Sequence, residues 1–178
     1  YKRMNISARA ASTPHDLDDA DHIILPGVGA FDHAMDRLDR SGMRDALERR
    51  IFGDGAAVLG VCVGMQILTD RSEEGTRQGL GWIPGQVRSL AGADAAGLPT
   101  PHMGWNDVTP TGGELLFRNL DEEMRFYFLH SYFVEPHDTD HVAATCEYGL
   151  EFPCVIHRDN VWGVQFHPEK SHRFGAAV

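Results

Sequence analysis

Residues 56–66 read AAVLGVCVGMQ, and the fold turns on them. Ala56 to Gly64 is an apolar run of strand length whose only interruptions are glycines, which predicts a fully buried strand. From Met65 the texture changes, and MQILTDRSEEG predicts a helix that Gly75 stops. Upstream, HIILPGVG from His22 to Gly29 reads as another buried strand, running through Pro26 into a tight loop. Between the two, Phe31 to Phe52 sets Met35, Leu38, Met43, Leu47 and Ile51 at helical spacings, with charge between them and Gly53 closing the segment. Strand, helix, strand, helix implies a parallel sheet with right-handed crossovers.

Past Gly79 the pattern shortens. GWIPGQVRSL, a Gly/Ala/Pro stretch from Ala91 to Pro101, FYFLHSYFVEP and WGVQFHPE predict short strands with frequent turns, more antiparallel in character. The expected architecture is α/β: an open, mixed and mostly parallel sheet with helices on both faces, in a single domain over residues 1–178. Neither repeat nor linker divides it. At the ends, Tyr1 to Arg3 read as a tail, Asn5 to Ala11 as a strand, and SHRFGAAV as the start of a helix. Both termini are expected to be cut.

Charge and cysteine usage exclude several functions. A formal net charge of -10 repels phosphate backbones and anionic membrane surfaces, so neither nucleic acid nor membrane is expected as a partner. The longest apolar run, Ala56 to Met65, is about half of what crosses a bilayer. Three cysteines, Cys62, Cys146 and Cys154, without CxxC spacing suggest neither a disulfide framework nor a zinc site, which favours a reduced, cytoplasmic setting. HDTDH, from His137 to His141, has metal-capable side chains, but an acidic loop is the better reading and no metal is expected. Among the 16 Lys and Arg residues only Lys2 and Lys170 are lysines, which singles out Lys170 beside QFHPE.

GVCVG, from Gly60 to Gly64, frames Cys62 as the cysteine counterpart of a G-x-S-x-G nucleophile elbow. The glycines permit a strained strand-to-helix turn and close packing, and a helix N-terminus favours thiolate. A small buried thiol reads equally well from this stretch alone. QFHPE shifts the balance. His167 precedes Pro168 and is pushed toward extended backbone, where residues two apart share a side, so Glu169 can orient the imidazole. Cys62, His167 and Glu169 then form a candidate catalytic triad. Trp105, flanked by turn formers in PHMGWN, reads from these residues as a loop aromatic folded onto the core.

LPGVGAF, GVCVGMQ, PHMGWN, FLHSYF and GVQFHPEKS together resemble the class I glutamine amidotransferases, over about His22 to Ser171 and in the family's order. Met65 and PHMGWN resemble the branch formed by the glutaminase subunits of imidazole glycerol phosphate synthase. The anthranilate and aminodeoxychorismate branches usually carry His at the position of Met65. The resemblance implies that Cys62 attacks the carboxamide carbon of L-glutamine and that His167 protonates departing ammonia and then activates water, with Glu169 as its orienter. It also implies oxyanion donors from Val63 and the Gly27-Val28-Gly29 loop, and glutamine contacts from Gln66, Glu74, Ser131 and Tyr132. Trp105 and Lys170 would face a (β/α)8 barrel cyclase subunit, forming a heterodimer through which ammonia is channelled in histidine biosynthesis, and no cofactor is implied.

The family's usual opening strand, turn and helix have no counterpart here. DHAM at Asp32–Met35 and SHRFG at Ser171–Gly175 resemble second-copy members that supply ammonia for surface-polysaccharide sugar amination, the alternative reading. A catalytically silent module would have lost a triad residue. A free-standing hydrolase would be fully active alone.

Overall fold

A computed structural model describes residues 4–92, 97–112, 115–120 and 124–178. The expected tail at Tyr1–Arg3 and part of the Ala91–Pro101 stretch lie outside the described residues. In chain order the strands are β1 (His22–Gly27), β2 (Ala57–Cys62), β3 (Arg71–Ser72), β4 (Gly85–Ser89), β5 (His102–Asp107), β6 (Thr109–Pro110), β7 (Arg125–His130), β8 (Tyr132–Pro136), β9 (Val142–Glu147), β10 (Glu151–Arg158) and β11 (Val161–Val164). The helices are α1 (Phe31–Ser41), α2 (Arg44–Glu48), α3 (Val63–Gln66) and α4 (His172–Ala177).

The largest sheet has the order β1-β2-β11-β10-β9-β6. β2 pairs in parallel with β1 on one side and β11 on the other. Every pairing beyond β11 in that sheet is antiparallel. The parallel first half and the antiparallel second half therefore meet at β11, which brings the chain back beside the strand that ends in Cys62. A three-stranded sheet β3-β4-β8 and a two-stranded ribbon β5-β7 complete the topology.

Successive strand residues point to opposite faces. Val58 belongs to an apolar cluster with Phe31, Met35, Ile51 and Met65, while its neighbour Leu59 packs against a second cluster built on Phe126, Phe128, Phe152 and Phe166. Burial along β2 consequently alternates between full and partial, where the sequence predicts a strand buried throughout. β1 departs further from that expectation. It is bonded to a described strand on one side only, and Ile24 is 38% exposed. An edge position leaves one apolar flank uncovered whatever the hydropathy of the run.

Three predicted elements are replaced. The Phe31–Phe52 helix breaks after Ser41, where Gly42 takes φ 67° and ends α1, and α2 continues as a π turn over Arg49–Gly53. The helix predicted from Met65 to Gly75 stops at Gln66. The carbonyls that a continuing helix would offer are taken by another loop: Leu80, Trp82 and Gly81 donate to Ile67, Leu68 and Thr69 at 2.8, 2.9 and 3.1 Å. The Asn5–Ala11 segment forms no strand and is exposed, because no described strand lies alongside it to take its hydrogen bonds. No helix among the described residues is long and apolar enough to cross a membrane.

Candidate active site

At the end of β2 the chain turns into α3 through Cys62 itself, which holds φ 56° and ψ −114°. Left-handed φ is costly for a side-chain-bearing residue and persists only where the surroundings enforce it. The enforcement comes from glycine contacts. A Cβ on Gly64 would lie 1.8 Å from the Leu25 carbonyl oxygen, one on Gly27 2.5 Å from the Gly64 nitrogen, and one on Gly60 2.5 Å from the Gly64 oxygen. Glycine at these positions serves backbone contact between β1, β2 and α3, while the strained dihedral is carried by the cysteine.

The Cys62 side chain is 5% exposed. Its thiol donates to the Leu129 carbonyl at 3.9 Å, and Gln165 Nε2 approaches the sulfur at 3.8 Å. Burial pushes the thiol up to about 11, with the Val63 amide pulling the other way. The expectation that a helix N-terminus favours thiolate is thus reversed in this structure. α3 spans four residues, too few for a large dipole, and desolvation dominates.

His167 sits at the end of the chain segment that follows β11, with extended backbone at φ −102° and ψ 97°. Its Nδ1 lies 2.8 Å from Glu169 Oε1. Pro168 opens a 3-10 turn over Pro168–Lys170, so the pair closes across a turn instead of along one side of an extended segment. Two further bonds hang the histidine on β7: its N–H donates to the Tyr127 carbonyl at 2.9 Å, and its carbonyl accepts from the Ser171 hydroxyl at 2.7 Å. Ser171 in turn accepts from the Tyr127 amide at 3.0 Å.

The fold and its strained cysteine turn can be set beside known proteins. The family described as "Glutamine amidotransferase class-I" matches residues 2–177. The chain belongs to the class I glutamine amidotransferases. It is 53% identical, over 100% of its length and 88% of the relative's, to imidazole glycerol phosphate synthase subunit HisH of Bdellovibrio bacteriovorus. Against the subunit of the same name from Leptospira interrogans, identity is 47% over 99% of the chain and 87% of the relative. Among solved structures, a crystal structure of glutamine amidotransferase superposes with a TM-score of 0.72 at 20% identity, covering 94% of this chain and 81% of that one.

In this amidotransferase the remaining predicted residues fall around the elbow unequally. Val63 follows Cys62 and its amide faces the sulfur. Gly27 abuts the elbow, Val28 is 78% exposed, and Gly29 takes φ 94°. Gln66 is buried, donating through Nε2 to the Tyr132 carbonyl at 3.0 Å and to Gln165 Oε1 at 3.1 Å. Glu74 Oε2 accepts from the Phe31 amide at 2.7 Å and so ties the α1 start to the loop after β3. Ser131 and Tyr132 are partly buried at the break between β7 and β8.

Trp105 lies in strand β5, and the predicted loop is absent at that point because His102–Asp107 pairs residue by residue with β7. Cross-strand partners Met103 and Leu129, and Trp105 and Tyr127, build one apolar outer face, with Met103 62% and Trp105 41% exposed. His172 stacks on Trp105 at 5.5 Å and Lys170 Nζ sits 5.7 Å from the Tyr127 ring centroid, so Lys170 joins that face. At HDTDH, Asp138 accepts from the Asp140 amide at 2.9 Å as a turn cap. No cluster of three or more His, Cys, Asp or Glu suited to a metal occurs among the described residues.

Sequence reasoning missed three contributors: Gln165, Ser171 and the buried pair His102 and His130. Gln165 had a usable signal, since a glutamine between Val164 and Phe166 in a buried run must find partners. The histidines form a line in which Asn106 donates to His102 Nε2 at 3.2 Å, His102 Nδ1 donates to His130 Nε2 at 2.9 Å, and His130 Nδ1 donates to the Tyr132 carbonyl at 2.9 Å. The terminal carbonyl can only accept, which puts a proton on His130 Nδ1, and with burial disfavouring a charge on either ring the remaining tautomers follow. Burial pulls them down to about 4 for His102 and about 3 for His130.

Proposed function

We propose that this chain is the glutaminase subunit of an imidazole glycerol phosphate synthase, acting in the cytoplasm with a (β/α)8 cyclase subunit. Cys62 gives its proton to His167 and attacks the carboxamide carbon of L-glutamine. The tetrahedral oxyanion is held by the Val63 amide and the Gly27-Val28-Gly29 loop. His167 passes the proton to the departing nitrogen, releasing ammonia and leaving a thioester on Cys62. His167 then takes a proton from water, whose oxygen attacks the thioester, and glutamate leaves as the thiol reforms. Glutamine and water become glutamate and ammonia. Glu169 keeps the imidazole oriented throughout, and Gln66, Glu74, Ser131 and Tyr132 shape the glutamine pocket.

The observation that carries this reading is the identity of 53% over the whole chain to a subunit of that name, in a chain that retains Cys62, His167 and Glu169. The β5–β7 face supports the partner. Leu129 has its carbonyl toward the Cys62 sulfur and its side chain on the apolar outer face, so one strand separates the nucleophile from the docking surface formed with Trp105 and Lys170. Glutamate release with and without the purified barrel subunit is the test. Activity should rise on adding the barrel, and Cys62→Ser should lower it on the order of ten-thousandfold. Unchanged hydrolysis in Cys62→Ser would remove the nucleophile from the scheme, and failure of the released ammonia to support cyclisation would remove the acceptor.

A further inference from the structure

Gln165 is completely buried one position past β11, and its two carboxamide atoms face different partners. Oε1 accepts from Gln66 Nε2 at 3.1 Å, and Nε2 points at the Cys62 sulfur at 3.8 Å. The orientation is forced from outside. The Tyr132 carbonyl can only accept, so Gln66 must turn its nitrogen toward it. That nitrogen also faces Gln165, which must answer with its oxygen. Gln165 is left with its N–H directed at the sulfur. His130, held by His102, donates to the same Tyr132 carbonyl and anchors the start of this sequence of constraints.

We propose that Gln165 is a catalytic residue that stabilises the Cys62 thiolate through its Nε2–H, with Gln66 fixing the direction of that donor. The proposal rests on the reading of Cys62 as the nucleophile. Two groups discriminate between the states of the sulfur. The Leu129 carbonyl accepts from the neutral thiol and opposes the anion, whereas the Gln165 N–H favours the anion. Of the charged groups around the sulfur, Glu169 and Glu74 oppose the thiolate and Lys170 favours it. Inside a buried pocket an N–H donor to an anion gains strength from the low polarity around it.

The test follows alkylation of Cys62 by iodoacetamide across pH in the full chain, with the modified site read by peptide mass spectrometry. Cys146 and Cys154 are buried thiols pushed up in the same way and are resolved by their own peptides. Gln165→Met removes the donor at similar volume and leaves the surrounding charges alone. Gln165→Glu keeps the acceptor for Gln66 and replaces the donor with a carboxylate. Both should move the midpoint of the alkylation profile upward by about one pH unit, a tenfold loss of thiolate at lower pH, with the larger shift for glutamate. An unmoved midpoint in either folded variant overturns the proposal. A shift in Gln165→Met with none in a folded Gln165→Glu also overturns it, assigning the effect to Gln66's lost acceptor. Should one variant fail to fold, the other decides. Glutaminase activity of the unmutated chain alkylated at Cys62 separates the two ideas: retained hydrolysis would end the nucleophile reading, while the midpoint shift still decides the role of Gln165.

Discussion

Cys62 sits where three backbone segments touch with glycine at each contact, whereas His167 hangs from the carbonyl of Tyr127, the hydroxyl of Ser171 and the carboxylate of Glu169. The elbow is held by exclusion. Nothing larger than hydrogen fits at Gly27, Gly60 or Gly64, so the strained dihedral of Cys62 has no room to relax. The histidine side is held by directional bonds between residues far apart in sequence. Packing of backbone on backbone admits no substitution and little adjustment. A hydrogen-bonded suspension can lose one member and keep the rest, with consequences that depend on pH and on the partner.

The difference can be broken most sharply at the elbow. Gly64→Ala places a methyl against the Leu25 carbonyl, which no rotamer can relieve, and should cost about 4 kcal/mol of stability in urea unfolding. A loss below about 1 kcal/mol would show that the three segments can part and that exclusion is not what holds Cys62.

On the suspended side the buried histidines offer a pH test. Both stay neutral in the folded chain, with His102 down to about 4 and His130 to about 3, against 6.5 ordinarily. Below pH 6.5 the unfolded chain takes up protons that the folded chain refuses. Stability is therefore full above that pH and falls as pH drops toward the folded values, by roughly 2 kcal/mol per histidine at about pH 5. His102→Phe keeps the stacking between Phe128 and Tyr148 but strands His130 Nε2. It should cost about 1–3 kcal/mol above neutrality and flatten the acid slope. Equal slopes in the two proteins would contradict a neutral His102.

Glu169→Leu removes the orienting acceptor of His167 together with its charge. Since the carboxylate is 59% exposed, its loss should lower kcat on the order of a hundredfold with little change in KM. An unaltered kcat would leave Tyr127 and Ser171 as sufficient supports for the imidazole. The smallest effect is expected at the outer face. Trp105→Ala should weaken barrel binding about tenfold by calorimetry and leave stability within about 1 kcal/mol, because the ring is half exposed. Undiminished affinity would move the docking surface elsewhere.

How much of this was legible follows the same division. GVCVG exposes its meaning locally, since glycine, cysteine and glycine at alternate positions after an apolar run dictate a tight strand-to-turn transition. HxE is also local, although the pair closes across a turn opened by Pro168 where the sequence predicts extended chain. The helix expected after Met65 failed for a distant reason, the loop at Leu80–Trp82 capturing its carbonyls. Trp105 looked like a loop residue because Gly104 and Asn106 flank it, yet pairing with Tyr127 makes it strand.

By itself, then, the sequence determined the parallel strands on either side of the first helix, the cysteine elbow and the histidine with its carboxylate, because each depends on steric preferences acting within a few residues. Tertiary structure alone decided that burial would hold the Cys62 thiol protonated, that Gln165 would turn its amide toward the sulfur, and that His102 and His130 would be locked neutral. Those outcomes rest on desolvation and on hydrogen bonds between residues brought together across β2, β5, β7 and β11, and no short stretch of chain carries that information.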